Sequence, residues 1–305
     1  MNAVETHNLT KIHGGRPVVD KLEMHVPRGC MYGFVGRNGA GKSTTMKMIA
    51  GLAGFSGGEV VLFGDREPAV PGRIGALIEN PGLLPNLSAF GNLMAVALAM
   101  GVVGAKEQCA ELLHVVGLDD VGKKKVEGFS LGMKQRLGIA LALVGTPDVL
   151  LLDEPINGLD PEGARAMCQT LVRLNHVRGI TIIISSHMLD QLNRMVDRFG
   201  VIANGSMVLE FTDDELQKAC NDSVRVKTAD SSRTLAVLEQ ALPEETFRVD
   251  PDGSVVVSGF RGPARIEDVA RVLHDADQTI LELSAVGRDV EDYFIGLMNG
   301  ENHHA

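Results

Sequence analysis

Short continuous apolar runs alternate with stretches whose apolar residues recur every three to four positions, and this texture organises the first 220 residues. The runs predict strands near Ala3–His7, Leu22–Val26, Met31–Val35, Val60–Phe63, Ile74–Ile78, Val149–Asp153, Thr181–Ser185 and Gly200–Ala203. The helical period predicts helices near Lys42–Ala50, Ala89–Met100, Lys106–Val116, Gly132–Val144, Glu162–Arg178 and Leu189–Asp197. Runs such as Val149-Leu150-Leu151-Leu152 have no polar face, so a parallel sheet covered by helices on both sides is expected, an α/β fold. After Asn221 the elements shorten and become acidic. Strands near Val224–Val226, Phe247–Val249, Val255–Val257 and Ile280–Leu283, with helices near Thr234–Leu242 and Ala264–His274, follow β-α-β-β-α-β. That is a ferredoxin-like order, and a last helix near Asp289–Met298 closes it. Residues 1–220 are thus expected as one domain and 221–305 as a small α+β accessory domain.

Charge narrows the partners. The net charge is −10, and residues 221–305 carry 8 basic against 16 acidic side chains, which leaves only −2 for the first 220. No broad basic face is available to a phosphate backbone, so nucleic acid is not an expected partner. Lys123-Lys124-Lys125 reads as a solvated loop. Cys30, Cys109, Cys168 and Cys220 show no C-x-x-C spacing, which suggests neither zinc nor a disulfide framework and fits a reducing compartment. The N-terminus lacks the apolar core of a signal peptide. Leu83–Ala105 holds no formal charge, but Pro85, Asn86, Ser88 and Asn92 interrupt it. A buried or partner-facing helix is expected there and not a membrane span.

The candidate chemistry centres on Gly36-Arg37-Asn38-Gly39-Ala40-Gly41-Lys42-Ser43, which fits G-x-x-x-x-G-K-[ST] and follows the strand Met31–Val35. A triphosphate needs many donors at short range. Glycines at 36, 39 and 41 let successive backbone N–H groups turn toward one anion, and the following helix points its positive end at the same place. Lys42 would reach the β- and γ-phosphates and Ser43 would hold Mg²⁺. Asn38, Ala40 and Thr44 complete the expected nucleotide contact. A glycine-rich turn satisfies such spacing now and then, so its context must decide.

That context includes Val149–Asp153, a buried strand ending in Asp153-Glu154, at the edge where an α/β sheet presents its ligands. Asp153 is expected on the metal side and Glu154 as the general base for the attacking water. An acidic pair capping a helix before Pro155 is the plain alternative.

Taken in order, the phosphate loop, Phe129-Ser130-Leu131-Gly132-Met133-Lys134-Gln135-Arg136, Asp153-Glu154, Gly158-Leu159-Asp160-Pro161 and Ser185-Ser186-His187 resemble the ATP-binding subunit of an ATP-binding-cassette transporter. The resemblance covers about residues 3–220 and implies a P-loop NTPase cassette with a helical subdomain. It also implies that two cassettes face head to tail with two ATP molecules between them. Ser130 and Gly132, at a helix N-terminus, would bind the γ-phosphate held by the other copy. His187 would contact the γ-phosphate and orient water, and Asp160 would lie at the dimer seam.

Three departures from the family pattern stand out. The glutamine after strand 74–78 is Glu79, which can only accept hydrogen bonds and is expected to face Mg²⁺ or a membrane partner. The first signature glycine is Leu131, and the ring that stacks on adenine is His13. The Glu79 segment and the signature resemble the subfamily that exports bacitracin-like or lantibiotic peptides and confers immunity. The implied protein is an ATPase docked on separate membrane permease subunits at the cytoplasmic face of the membrane, exporting a peptide antibiotic or drug. The uncharged stretch after Glu79 is either a docking face for that partner or ordinary core. The rival functions are a soluble ATPase of the same type and a nucleotide-sensing regulatory module.

Overall fold

In chain order the elements of the first unit, Met1–Phe211, are β1 (Asn2–His13), β2 (Arg16–Pro27), β3 (Met31–Val35), α1 (Lys42–Ile49), β4 (Gly57–Leu62) and β5 (Ile74–Leu77). Then come α2 (Ala89–Ala99), α3 (Ala105–Val115), α4 (Leu131–Ala142), β6 (Val149–Asp153), α5 (Pro161–Arg178), β7 (Thr181–Ser186), β8 (Arg198–Ala203) and β9 (Ser206–Thr212). This is a computed structural model, and it describes residues 1–65, 73–186, 192–193, 195–220, 223–260, 266–287 and 290–299. The helix expected near Leu189–Asp197 falls partly outside the described residues, which include 192–193 and 195–197 of it.

Six strands form one sheet in the order β5-β6-β7-β3-β8-β9, with β5 to β8 paired in parallel. Every residue of β3, β6 and β7 is buried, as runs without a polar face require. Leu151 and Ile183 have no exposed surface, and burying such a side chain contributes about 1.5–3 kcal/mol. Because these strands run the same way, Val35, Leu77, Asp153 and Ser186 end on one edge of the sheet, and the phosphate loop, Glu79 and Glu154 follow the first three directly in the chain. The fold therefore gathers four sequence-distant segments at one edge, where α/β sheets bind ligands.

A second sheet, β2-β1-β4, is antiparallel and shares an apolar layer with the first. Val4, Leu22 and Met24 pack with Phe34, Leu151, Ile183 and with Met46 and Ile49 of α1. Helices α2, α3 and α4 contact one another between β5 and β6, forming the helical subdomain. The uncharged stretch becomes α2, whose Ser88 cap accepts from Gly91 N. Buried Asn92 clamps the preceding loop, accepting from Leu84 N at 2.7 Å and donating to Leu84 O at 3.0 Å. α2 has 11 residues, half of what a span needs, and among the described residues no helix is long and apolar enough to cross a membrane.

The second unit, Thr212–Ala305, holds α6 (Asp213–Cys220), β10 (Ser223–Thr228), α7 (Ser231–Ala241), β11 (Thr246–Val249), β12 (Val255–Ser258), α8 (Ile266–Asp275), β13 (Ile280–Val286) and α9 (Val290–Asn299). Its antiparallel sheet has the order β11-β12-β10-β13. Val224, Val226, Val255 and Val257 pack against Leu238 of α7 and against Val269 and Leu273 of α8. Composition changes at residue 221, whereas the compact units divide at 211/212. The difference is α6, which contacts α9.

Candidate functional site

The phosphate loop leaves β3 at Gly36 and enters α1 at Lys42. A Cβ at Gly36 would lie 2.5 Å from the carbonyl oxygen of Ile202 on β8, so any side chain there would push the loop off the sheet. Gly41 caps α1 with φ +110°, a conformation open to glycine, and no side chain caps the helix. Arg37, Asn38 and Gly39 form the exposed crest, Ala40 is buried, and Ser43 and Thr44 are half-buried in the first turn of α1. Lys42 is only 6% exposed. Its Nζ donates to Gly36 O at 2.6 Å and Arg37 O at 3.3 Å and lies 3.8 Å from Glu154 Oε1. Burial pulls the Lys42 ammonium below the usual lysine range, while Glu154 and then Asp153 pull it back.

Asp153 and Ser185 are register partners on β6 and β7, both buried, and Ser185 Oγ donates to Asp153 Oδ1 at 2.5 Å. Glu154 has φ +50°, a left-handed backbone that costs a non-glycine residue about 1–2 kcal/mol. Its N–H donates to Ser185 O at 3.2 Å and Ser185 Oγ at 3.0 Å, which holds that turn. The turn takes Glu154 out of the extended backbone of β6 that carries Asp153. Ser43 and Asp153 supply oxygen donors, the kind a hard divalent cation takes.

The remaining expected residues make other contacts. Glu79, also left-handed at φ +63°, pairs with Lys47 Nζ of α1 at 2.5 Å. That cation, which the sequence reading did not single out, neutralises the carboxylate that replaces glutamine. His13 stands at the exposed end of the β1–β2 hairpin, in register with Arg16. Ser130 caps α4, accepting from Met133 N at 3.3 Å, and is exposed beside Leu131, itself 51% exposed. A Cβ at Gly132 would lie 3.5 Å from Leu159 Cδ2, so the signature packs on the loop that ends at exposed Asp160. Asp160 caps α5 by position, with Pro161 in the first turn. His187 lies outside the described residues. A cavity of about 250 Å³ opens beside Glu79, lined by Asn80, Pro81, Leu83, Val126, Leu131 and Gln135 among others.

The family model described as ABC transporter matches residues 19–157, from β2 through the phosphate loop and signature to just past Glu154. Over 301 residues the chain is 38% identical to the bacitracin transport ATP-binding protein BcrA of Bacillus licheniformis, covering 97% of each. The chain belongs to the ABC transporter ATP-binding proteins. The cassette is also 40% identical over 208 residues to the lantibiotic transport ATP-binding protein SrtF of Streptococcus pyogenes, covering 68% of this chain and 90% of the other. Among solved structures, cbiO1 from Clostridium perfringens, part of the ABC transporter complex cbiONQ, superposes with a TM-score of 0.65. That match has 25% identity and covers 79% of this chain and 96% of that one. The cassette thus shares its α/β architecture with ABC ATPases.

Proposed function

We propose that this ABC ATPase powers the export of a peptide antibiotic or drug through separate membrane permease subunits, and that two copies close head to tail on ATP. The observation that carries the proposal is the cluster of Lys42, Asp153, Glu154 and Ser185 at one edge of the parallel sheet, beside a glycine loop that admits no side chain at Gly36.

In this proposal the loop amides, with Asn38 and Thr44, hold the phosphates, and Lys42 neutralises the β- and γ-phosphates. Ser43 and Asp153 would hold Mg²⁺, which when bound supplies charge neutralisation at the phosphates, while Glu79, paired with Lys47, faces the permease. Glu154 takes the proton of the attacking water, and His187 orients that water. Ser130 and Gly132 present an exposed, serine-capped helix end to the γ-phosphate of the second copy, with Asp160 at the seam. His13 supplies a modest platform for adenine. The cavity beside Glu79 and the apolar side chains around it receive the permease, which keeps the cassette peripheral at the cytoplasmic face of the membrane. Residues 221–305 form the acidic accessory domain. Near full-length similarity to BcrA supports a peptide cargo.

Growth in a bacitracin-type peptide tests this. Cells given the cassette with its membrane subunit should gain resistance and lose it with Glu154→Gln. Glu79→Gln should change the degree of resistance while the purified protein still binds ATP with similar affinity. Resistance that persists with Glu154→Gln contradicts ATP-driven export of that peptide. A collapse of ATP affinity in Glu79→Gln would instead place Glu79 in the primary nucleotide site.

A further inference from the structure

We infer that Ser185 is a positioning residue that sets both carboxylates of the β6 edge at once. The inference rests on the roles given above to Asp153 and Glu154. β7 reads Thr181-Ile182-Ile183-Ile184-Ser185-Ser186, an apolar run that turns polar while still fully buried. Strand alternation places Ser185 on the same face as Ile183, in register with Asp153.

A hydroxyl carries one proton and two lone pairs, so it can donate and accept together. The Ser185 hydroxyl does both: it donates to Asp153 Oδ1 at 2.5 Å and accepts from the Glu154 N–H at 3.0 Å. The first bond fixes the rotation of the Asp153 carboxylate and hence which oxygen it offers. The second holds Glu154 at φ +50°, a backbone setting that persists only where its surroundings enforce it. Without the hydroxyl the Glu154 N–H loses its shorter bond to Ser185 and keeps the one to the Ser185 carbonyl at 3.2 Å, and the Asp153 carboxylate loses the Ser185 donor. Both groups then gain freedom while the phosphate loop and Lys42 stay as they were.

The test compares Ser185→Ala and Ser185→Thr in the full-length chain. Each is followed by ATP turnover, by binding of a fluorescent ATP analogue titrated with Mg²⁺, and by thermal melting. Ser185→Ala should lower kcat about tenfold to a hundredfold, the scale of a mispositioned reacting group. KM for ATP and Mg²⁺-free analogue binding should be unchanged, and half-saturation should need more Mg²⁺. Ser185→Thr, which keeps the hydroxyl, should recover kcat and the Mg²⁺ dependence. Wild-type kcat in Ser185→Ala overturns the inference, as does a threonine variant as slow as the alanine one. A parallel loss of kcat, analogue affinity and melting temperature also overturns it, because that marks a general structural role. Glu154→Gln serves as the reference. If it retains turnover, the role of Glu154 fails; if it is slow while Ser185→Ala is not, only the inference about Ser185 fails.

Discussion

Replacing Glu154 with glutamine should lower ATP turnover by about 10²–10⁴ while ATP remains bound, the weight of a general base. The side chain keeps its size and its backbone turn, because the Glu154 N–H donates to Ser185 O and Ser185 Oγ, bonds that are indifferent to the carboxylate. What disappears is a proton acceptor and one negative charge 3.8 Å from Lys42 Nζ. Lys42 then loses the nearer of the two carboxylates that offset its burial, so its pKa moves further down, but incoming phosphates replace that charge. Binding should therefore survive. Phosphate release measured with Mg²⁺, beside fluorescent-nucleotide binding, checks both halves. Near-normal hydrolysis removes Glu154 from the role.

Lys42→Met should weaken nucleotide binding itself. Methionine fills a similar volume in the buried position but removes the Lys42 cation that spans the loop carbonyls and the β6 edge. A hydrogen bond to a charged group is worth about 1.5–3 kcal/mol, so nucleotide affinity should fall about tenfold to more than a hundredfold. The pH dependence separates this from general damage. Burial holds the free ammonium below its ordinary value of 10.5, and phosphates beside it favour the protonated form. Binding thus takes up protons once free Lys42 begins to titrate, and wild-type affinity should weaken as pH rises into the alkaline range. Lys42→Met should be flat there. Equal alkaline weakening in both proteins would show that another group is responsible.

The parts of the site legible in the sequence are those whose chemistry is local. The phosphate loop needs glycine at 36 and 41 because a sheet carbonyl and a positive φ leave no room for a side chain. Asp153-Glu154 is visible because an apolar run ends there abruptly. Pairings between distant segments are not legible in this way. Lys47 reaches Glu79 across 32 positions, and nothing in the period of α1 marks it as a counter-ion. Ser185 was visible only as part of a motif, although a buried run turning polar beside two carboxylates was an available signal. β9 is absent from the strands expected above, yet Asn204-Gly205, both at positive φ, is a strong turn signal after β8. Exposed Val208 and Leu209 break the alternation that would have revealed this edge strand. α6 shows the same limit at the domain level, because composition marks residue 221 while packing against α9 sets the division ten positions earlier.

Capture of the Glu154→Gln cassette from native membranes in mild detergent, with ATP and Mg²⁺ to hold it closed, separates an export ATPase from a soluble one. A multi-spanning subunit recovered in about equal numbers with the cassette is the predicted result. Recovery only as a soluble dimer, or with a partner that does not span the membrane, would contradict export and leave the nucleotide chemistry standing alone.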